Sequence, residues 1–305
     1  MRKFTTVGFM MLAIMAVAQQ LPQYSQYQFN DYVFNPAVAG SRNYFEARSG
    51  HRSQWVGITD APRTYTISAT TPIADQRMGI GGYIYTDNVG PTRRTGIQGS
   101  FAYHLKLTET LKLSLALSVG IQQFLVDGSK ITLRDPGDNV IGDEVQSSLV
   151  PDGKFGLYLY HERYYFGLTV PQLMQNELKF FDEQTSTMSN LETHIYAMGG
   201  YRLPLGEDWM LEPQFMLKYV DPVPMDIDLT AMLHYKKVIW VGASYRTSDA
   251  IVAMLGGTLS DAFSFGYSSD IATSNLKNYS NGTHEIMLGI QFGRKAPEQI
   301  TEGSE

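Results

Sequence analysis

Cysteine is absent from the 305 residues, which removes disulfides, thiol catalysis, cysteine-ligated zinc and a lipid-anchored N-terminal cysteine together. Basic blocks are absent as well. Lysine and arginine are scattered through a chain of net charge −6, so a nucleic-acid partner has no electrostatic footprint. After Gln19 no apolar run approaches the roughly 20 residues that a membrane-crossing helix needs. The mean hydropathy of −0.18 would suit a soluble protein, yet a membrane barrel shows lipid only every second residue and escapes that expectation.

What is present is 43% hydrophobic and 12% aromatic residues with 28 glycines, enough to build a large core or line a large barrel, and incompatible with disorder as the main state. At the N-terminus Arg2 and Lys3 precede a largely apolar run from Val7 to Val17, which closes with Ala16-Val17-Ala18 before Gln19. A basic start, a short apolar run and small residues at −3 and −1 predict a cleaved secretory signal at 1–18 and a mature chain beginning at Gln19.

From about residue 43 the sequence becomes a succession of short alternating segments. The clearest is Leu111, Leu113, Leu115, Leu117, Val119 and Ile121, interleaved with Lys112, Ser114, Ala116, Ser118, Gly120 and Gln122. One face suits lipid and the other a barrel interior. Similar runs lie near 43–55, 63–71, 77–87, 94–105, 153–160, 164–170, 191–203, 209–219, 225–235, 237–245, 249–259, 262–270 and 283–293. That predicts about fourteen strands, many near the 9–11 residues with which a tilted strand crosses a bilayer. No helical stretch separates them, which disfavours a βαβ architecture.

Links alternate in length: short ones fall near 72–76, 106–109, 161–163, 204–208, 236–237 and 260–261, the intervening ones are as long or longer, and 123–152 and 171–190 are much longer. Short periplasmic turns and long outer loops are the habit of bacterial barrels, and an even strand number places both termini in the periplasm. Aromatics near strand ends, among them Trp55, Tyr103, Tyr160, Tyr164, Trp209, Tyr219, Tyr235 and Trp240, are candidates for interfacial girdles. The closing segment turns Ile286, Leu288, Ile290 and Phe292 outward and ends on an aromatic.

No constellation for chemistry stands out. The histidines at 51, 104, 161, 194, 234 and 284 show no helical metal-ligand spacing. Gly79-Ile80-Gly81-Gly82 sits inside an alternating strand and opens no helix, so it reads as room for a bend or a plug. Asp135, Asp138, Asp143 and Glu144 cluster without the spacing of a calcium loop. Asp226 and Asp228 share a strand face without a partner base or nucleophile, and no G-x-S-x-G elbow occurs. The reading is of a chain that is not an enzyme and carries no cofactor.

The region after the signal has its own pattern: Gln23-Tyr24-Ser25-Gln26-Tyr27-Gln28-Phe29-Asn30, then Phe34-Asn35-Pro36-Ala37-Val38-Ala39-Gly40-Ser41, followed by Arg52-Ser53-Gln54-Trp55-Val56-Gly57 and Ala61-Pro62-Arg63-Thr64-Tyr65-Thr66. These segments resemble the opening of the PorP/SprF family, membrane proteins of the type IX secretion system of Bacteroidota. Ser280-Asn281-Gly282-Thr283-His284-Glu285-Ile286-Met287-Leu288-Gly289 is similar to the family's closing strand. The resemblance implies an outer-membrane barrel that works with large surface adhesins of gliding-motility type bearing a C-terminal targeting domain. It also implies contact with the periplasmic ring and peptidoglycan-linked parts of the secretion machine.

The expected architecture is an all-β transmembrane antiparallel barrel of about fourteen strands over 43–293, an irregular N-terminal segment 19–42 near or inside the periplasmic mouth, and a polar tail 294–305. Asn35-Pro36 and Gly40-Ser41 favour turns in that segment. Tyr27, Phe29, Phe34 and Trp55 are expected to pack there and Arg52 and Gln54 to hydrogen-bond inside; Tyr27, Phe29, Asn35, Pro36, Gly40, Arg52, Gln54 and Trp55 form the candidate partner-contact set. Whether they serve barrel folding alone or also a partner stays open, as does cargo contact by the two longest loops. A small-solute porin and a soluble β-sandwich are the competing classes.

Overall fold

The computed structural model describes residues 21–131, 144–178, 189–247, 249–260 and 262–293. The acidic cluster at 135–143, the proposed signal and the polar tail lie outside them. Fourteen antiparallel strands close on themselves: β1 Phe45–Ser53, β2 Arg63–Ile73, β3 Met78–Val89, β4 Thr92–Lys106, β5 Lys112–Asp127, β6 Val145–Tyr160 and β7 Tyr164–Val170. The circuit continues with β8 Ile195–Tyr201, β9 Trp209–Val220, β10 Val223–Tyr235, β11 Ile239–Arg246, β12 Ala250–Thr258, β13 Phe263–Ala272 and β14 Thr283–Phe292. Each strand pairs with its sequence neighbours, and β1 closes the ring against β14 with Phe45 opposite Phe292. A short continuation of β8, Leu203–Leu205, pairs with β9, and Glu177–Leu178 pairs with Ser189–Asn190 outside the ring.

Side-chain parity explains the cylinder. Along β5, Leu115, Leu117, Val119 and Ile121 are exposed while Ser114, Ala116, Ser118 and Gln122 are buried. The same alternation places Ile286, Leu288 and Phe292 outside on β14 and Glu285 and Met287 inside. A sheet with its apolar face outward is stable only with lipid around it. Leu117→Arg, at mid-height of this face, is therefore expected to destabilise the protein in lipid vesicles by about 2–4 kcal/mol. Denaturant titration checks this, and a change near zero would remove lipid from that face.

The end holding Phe45 and Phe292 carries the turns 74–77, 107–111, 161–163, 206–208, 236–238 and 259–262. All are short, which identifies this end as periplasmic. The opposite end carries the four longest links, 54–62, 128–144, 171–194 and 273–282, but also 90–91, 221–222 and 247–249. The expectation that the links at this end are as long as the periplasmic ones or longer thus fails at 90–91 and 221–222. The β3–β4 and β9–β10 hairpins run on to two-residue turns at Gly90-Pro91 and Asp221-Pro222, consuming residues that read as loop.

β6 starts well before the expected residue 153, because Pro151 and Asp152-Gly153 look like a turn. Pro151 sits in the strand with its carbonyl turned away from β5, accepting from the Asn176 side chain at 2.6 Å. Its missing N–H points the same way, so the β5–β6 ladder loses nothing. The girdle also needs correction. Tyr164 and Tyr201 stack, as do Phe45 and Phe292, and Trp209 lies against Tyr235 at 4.6 Å, all at the periplasmic rim. Trp240 and Tyr160 have the opposite parity and face the lumen.

Candidate functional site

The lumen is filled by the chain's own N-terminal segment. Leu21, Pro22 and Gln23 lie beside Tyr219, Val220, Val223 and Pro224 at the outer tip of the β9–β10 hairpin. From there the segment descends to the periplasmic mouth at Ala39–Gly40 and turns into β1. The C-terminal end of β14 is periplasmic as expected, but the described N-terminal end lies toward the outer mouth. Parity of strand number governs where β1 begins, and it has no hold on a segment that runs back through the lumen before it.

The lower half of this plug is an aromatic and small-residue wedge. Asp31–Phe34 form one helical turn and Pro36–Val38 a 3-10 turn, with Asn35 between them accepting from Ala37 N at 2.9 Å and donating to the Leu157 carbonyl at 2.9 Å. Tyr32 bonds Ser100 at 2.9 Å, and Lys154 donates to the Val33 carbonyl at 2.8 Å and to the Tyr83 hydroxyl at 2.9 Å. Wall glycines make the space: a Cβ at Gly156 would fall 2.3 Å from Asn35 Oδ1, and one at Gly79 only 1.9 Å from the Ala39 carbonyl oxygen. Gly79 thus serves a close backbone approach. Gly40 has φ +72, a conformation that favours glycine, and His104 donates to the Ala39 carbonyl at 2.9 Å.

The upper half is polar. Ser25 N and Gln26 N donate to the two oxygens of Glu285 at 2.8 and 3.0 Å, and Ser25 Oγ donates to Asp270 at 2.7 Å. Arg52 donates to Ser25 Oγ at 2.8 Å, to Asp270 at 2.9 Å and to Glu285 at 3.1 Å. Arg246 reaches Asp228 at 2.8 Å, Asp249 at 3.1 Å, Asp270 at 3.3 Å and Ser25 Oγ at 3.2 Å. Lys218 adds bonds to Asp228 at 2.8 Å and Asp226 at 3.2 Å. Arg52 and Arg246 are 2% and 1% exposed, so each guanidinium needs the carboxylates around it. Tyr24 bonds Thr66 at 2.6 Å and Tyr27 donates to Thr230 at 3.1 Å, and Phe29 reaches down to stack on Trp240, beside the periplasmic turn 236–238, with centroids 4.1 Å apart.

Of the candidate set, Tyr27, Phe29, Asn35, Pro36, Gly40 and Arg52 come together in or against this plug. Gln54 and Trp55 do not, and instead line a small cavity with Arg52, Asp249 and Asp270 of the ion network. They lie in the outer loop 54–62, where Trp55 N donates to Thr283 Oγ1 at 3.0 Å. Asp226 and Asp228 are absorbed into the ion network, which leaves no free carboxylate pair for acid–base work there. Sequence reasoning missed Ser25, Asp270, Glu285 and Arg246 as one unit, whereas the room for a plug read at Gly79 is where the Ala39 carbonyl packs. The available signal was a charged residue at an inward position of a lipid-facing strand, as Glu285 is between Ile286 and His284. Among the described residues no group of three or more histidine, aspartate or glutamate side chains is placed to hold a metal, and no helix is long and apolar enough to cross a membrane.

Fold and lumen together define an outer-membrane β-barrel closed by its own N-terminal segment. The chain belongs to the family described as type IX secretion system membrane protein PorP/SprF, whose match covers residues 16–290. Among solved structures it is similar to the Ralstonia pickettii toluene transporter TbuX, with a TM-score of 0.53 and 7% identity, covering 85% of this chain and 92% of that one. It is also similar to a Pseudomonas aeruginosa FadL homologue, with a TM-score of 0.50 and 10% identity over 91% and 95% of the two chains. At such identities the likeness is one of fold. No curated protein matches the chain.

Proposed function

We propose that this protein is a non-enzymatic part of the type IX secretion machine that assists export of large surface adhesins, holds them at the cell surface, or does both. The observation that carries the reading is the filled lumen. The family's opening motif occupies the place a diffusing solute would use, which favours a partner-handling barrel over a small-solute porin. In this reading the leader is removed after Ala18, the periplasmic rim meets ring and peptidoglycan-linked components, and the outer links 128–144 and 171–194 are the surfaces offered to cargo, since loops on a rigid scaffold commonly carry binding.

A pull-down of the intact protein in mild detergent tests this. A large surface protein and periplasmic secretion components are expected among the bound proteins, and planar bilayers are expected to show no open conductance. An unpartnered barrel that conducts freely would support the porin instead. Mass spectrometry of the purified chain is expected to begin at Gln19, and an intact Met1 would overturn the cleavage.

A further inference from the structure

The two halves of the plug are held by different physics. Residues 30–40 are wedged among tyrosines and glycines of β3–β8, with Val33, Phe34, Ala37, Val38 and Ala39 all buried. Residues 21–29 join that apolar packing through Tyr24 and Tyr27, which pack edge-on against Phe34, and otherwise sit against charges, hydroxyls and two methionine sulfurs of β1, β2 and β10–β14. Gln28 Nε2 approaches Met254 Sδ at 3.2 Å, a weak partner, while the side-chain carbonyl oxygens of Gln26 and Gln28 are buried with no hydrogen-bond partner. Buried amide oxygens left unpaired make the seat imperfect, and thioethers make it adaptable.

The bonding is also that of a bound peptide. Two successive backbone N–H groups share one carboxylate, a small hydroxyl bridges two arginines and a carboxylate, and after a turn closed by Phe29 N donating to the Gln26 carbonyl at 3.0 Å an aromatic ring lands on Trp240. Backbone capture supplies affinity and the two side-chain seats supply selectivity. The described start of this arm, Leu21–Gln23, lies toward the outer mouth, so once the proposed leader is removed the arm can leave and return there while residues 30–44 stay wedged. The seat also has surplus negative charge: Asp226, Asp228, Asp249, Asp270 and Glu285 face Arg52, Arg246 and Lys218.

We propose that the luminal groove running from Arg52, Asp270, Glu285 and Arg246 near the outer mouth down to Trp240 is a peptide-binding site entered from the exterior, and that residues 21–29 are its built-in competitor. The ligand class is a peptide segment with a small hydroxyl residue followed four positions later by an aromatic one. This deepens the partner-handling reading and rests on it, but the tests fail separately: the pull-down reports the whole-cell partner and the following assay reports the groove.

The assay uses the full chain and a variant lacking residues 21–29, with a synthetic peptide of the sequence of residues 22–29 carrying a fluorophore on its N-terminus. The shortened barrel is expected to bind this peptide at least about tenfold more tightly than the full chain does, because the latter must first displace its own arm. A scrambled peptide is expected not to bind. Equal binding by both proteins, or none by a shortened barrel that keeps the heat-modifiable mobility of a folded one, overturns the proposal. Should the deletion fail to assemble, the full chain with Ser25→Glu replaces it. Repulsion from Asp270 and Glu285 is then expected to raise peptide binding and to raise maleimide labelling of an added Gln23→Cys from outside the cell. Unchanged values of both overturn the proposal equally.

Discussion

Replacing Arg52 by leucine is expected to cost about 3–5 kcal/mol of stability, the usual consequence of leaving a buried charge without its partner. The guanidinium is 2% exposed and bonds Ser25, Asp270 and Glu285 at once. Without it, Asp270 retains Arg246 at 3.3 Å, and Glu285 retains only the two backbone N–H groups of the plug. Arg52→Lys keeps the charge but loses the forked donors, so an intermediate loss is expected. The denaturant midpoint of the folded band in lipid vesicles measures both. A leucine variant within about 1 kcal/mol of the parent would show the network to be worth no more than an exposed pair.

The second large effect is steric. Gly79→Val places a Cβ that would lie 1.9 Å from the Ala39 oxygen and 2.8 Å from Gly40 Cα, so either the plug base lifts or β3 deforms. Valine favours strands, and the barrel is expected to persist while the plug base is displaced. Planar-bilayer recordings should then change from closed to conducting. Gly99→Val is the matched control: a Cβ there meets nothing within 4 Å, and neither conductance nor stability is expected to change. A closed Gly79→Val barrel would mean that the base is not what seals the lumen.

Much of the barrel could be read from period-two patterning because lipid imposes a strict rule on alternate residues. Leu111 to Ile121 shows this in a single segment. The rule weakens wherever a strand leaves the bilayer, which is why the outer part of β6, with Pro151 and Asp152-Gly153, read as loop. Trp240 shows a second limit: position near a strand end suggests a girdle, but parity decides which way the ring points. The plug could be read only as irregular chain. Its seat is assembled from β1, β10, β11, β13 and β14, and contacts such as Ser25 to Glu285 join residues at opposite ends of the sequence. Periodicity within a segment carries no trace of such pairings, whereas inward charges on lipid-facing strands do mark where something must be held.

The strands differ greatly in length. β5 and β6 have 16 residues each and β7 and β8 have 7. At about 3.3 Å per residue and a tilt of about 40°, the first pair rises about 40 Å along the membrane normal and the second about 18 Å. The apolar band of such barrels is about 25 Å tall. The rim is consequently slanted, and acyl chains beside β7 meet too little wall for their length, whereas Leu203–Leu205 lengthens the wall at β8. Beside β7, Leu173 and Met174, 45% and 50% exposed, extend the greasy surface, and the bilayer is expected to thin along that flank relative to the rest of the circumference.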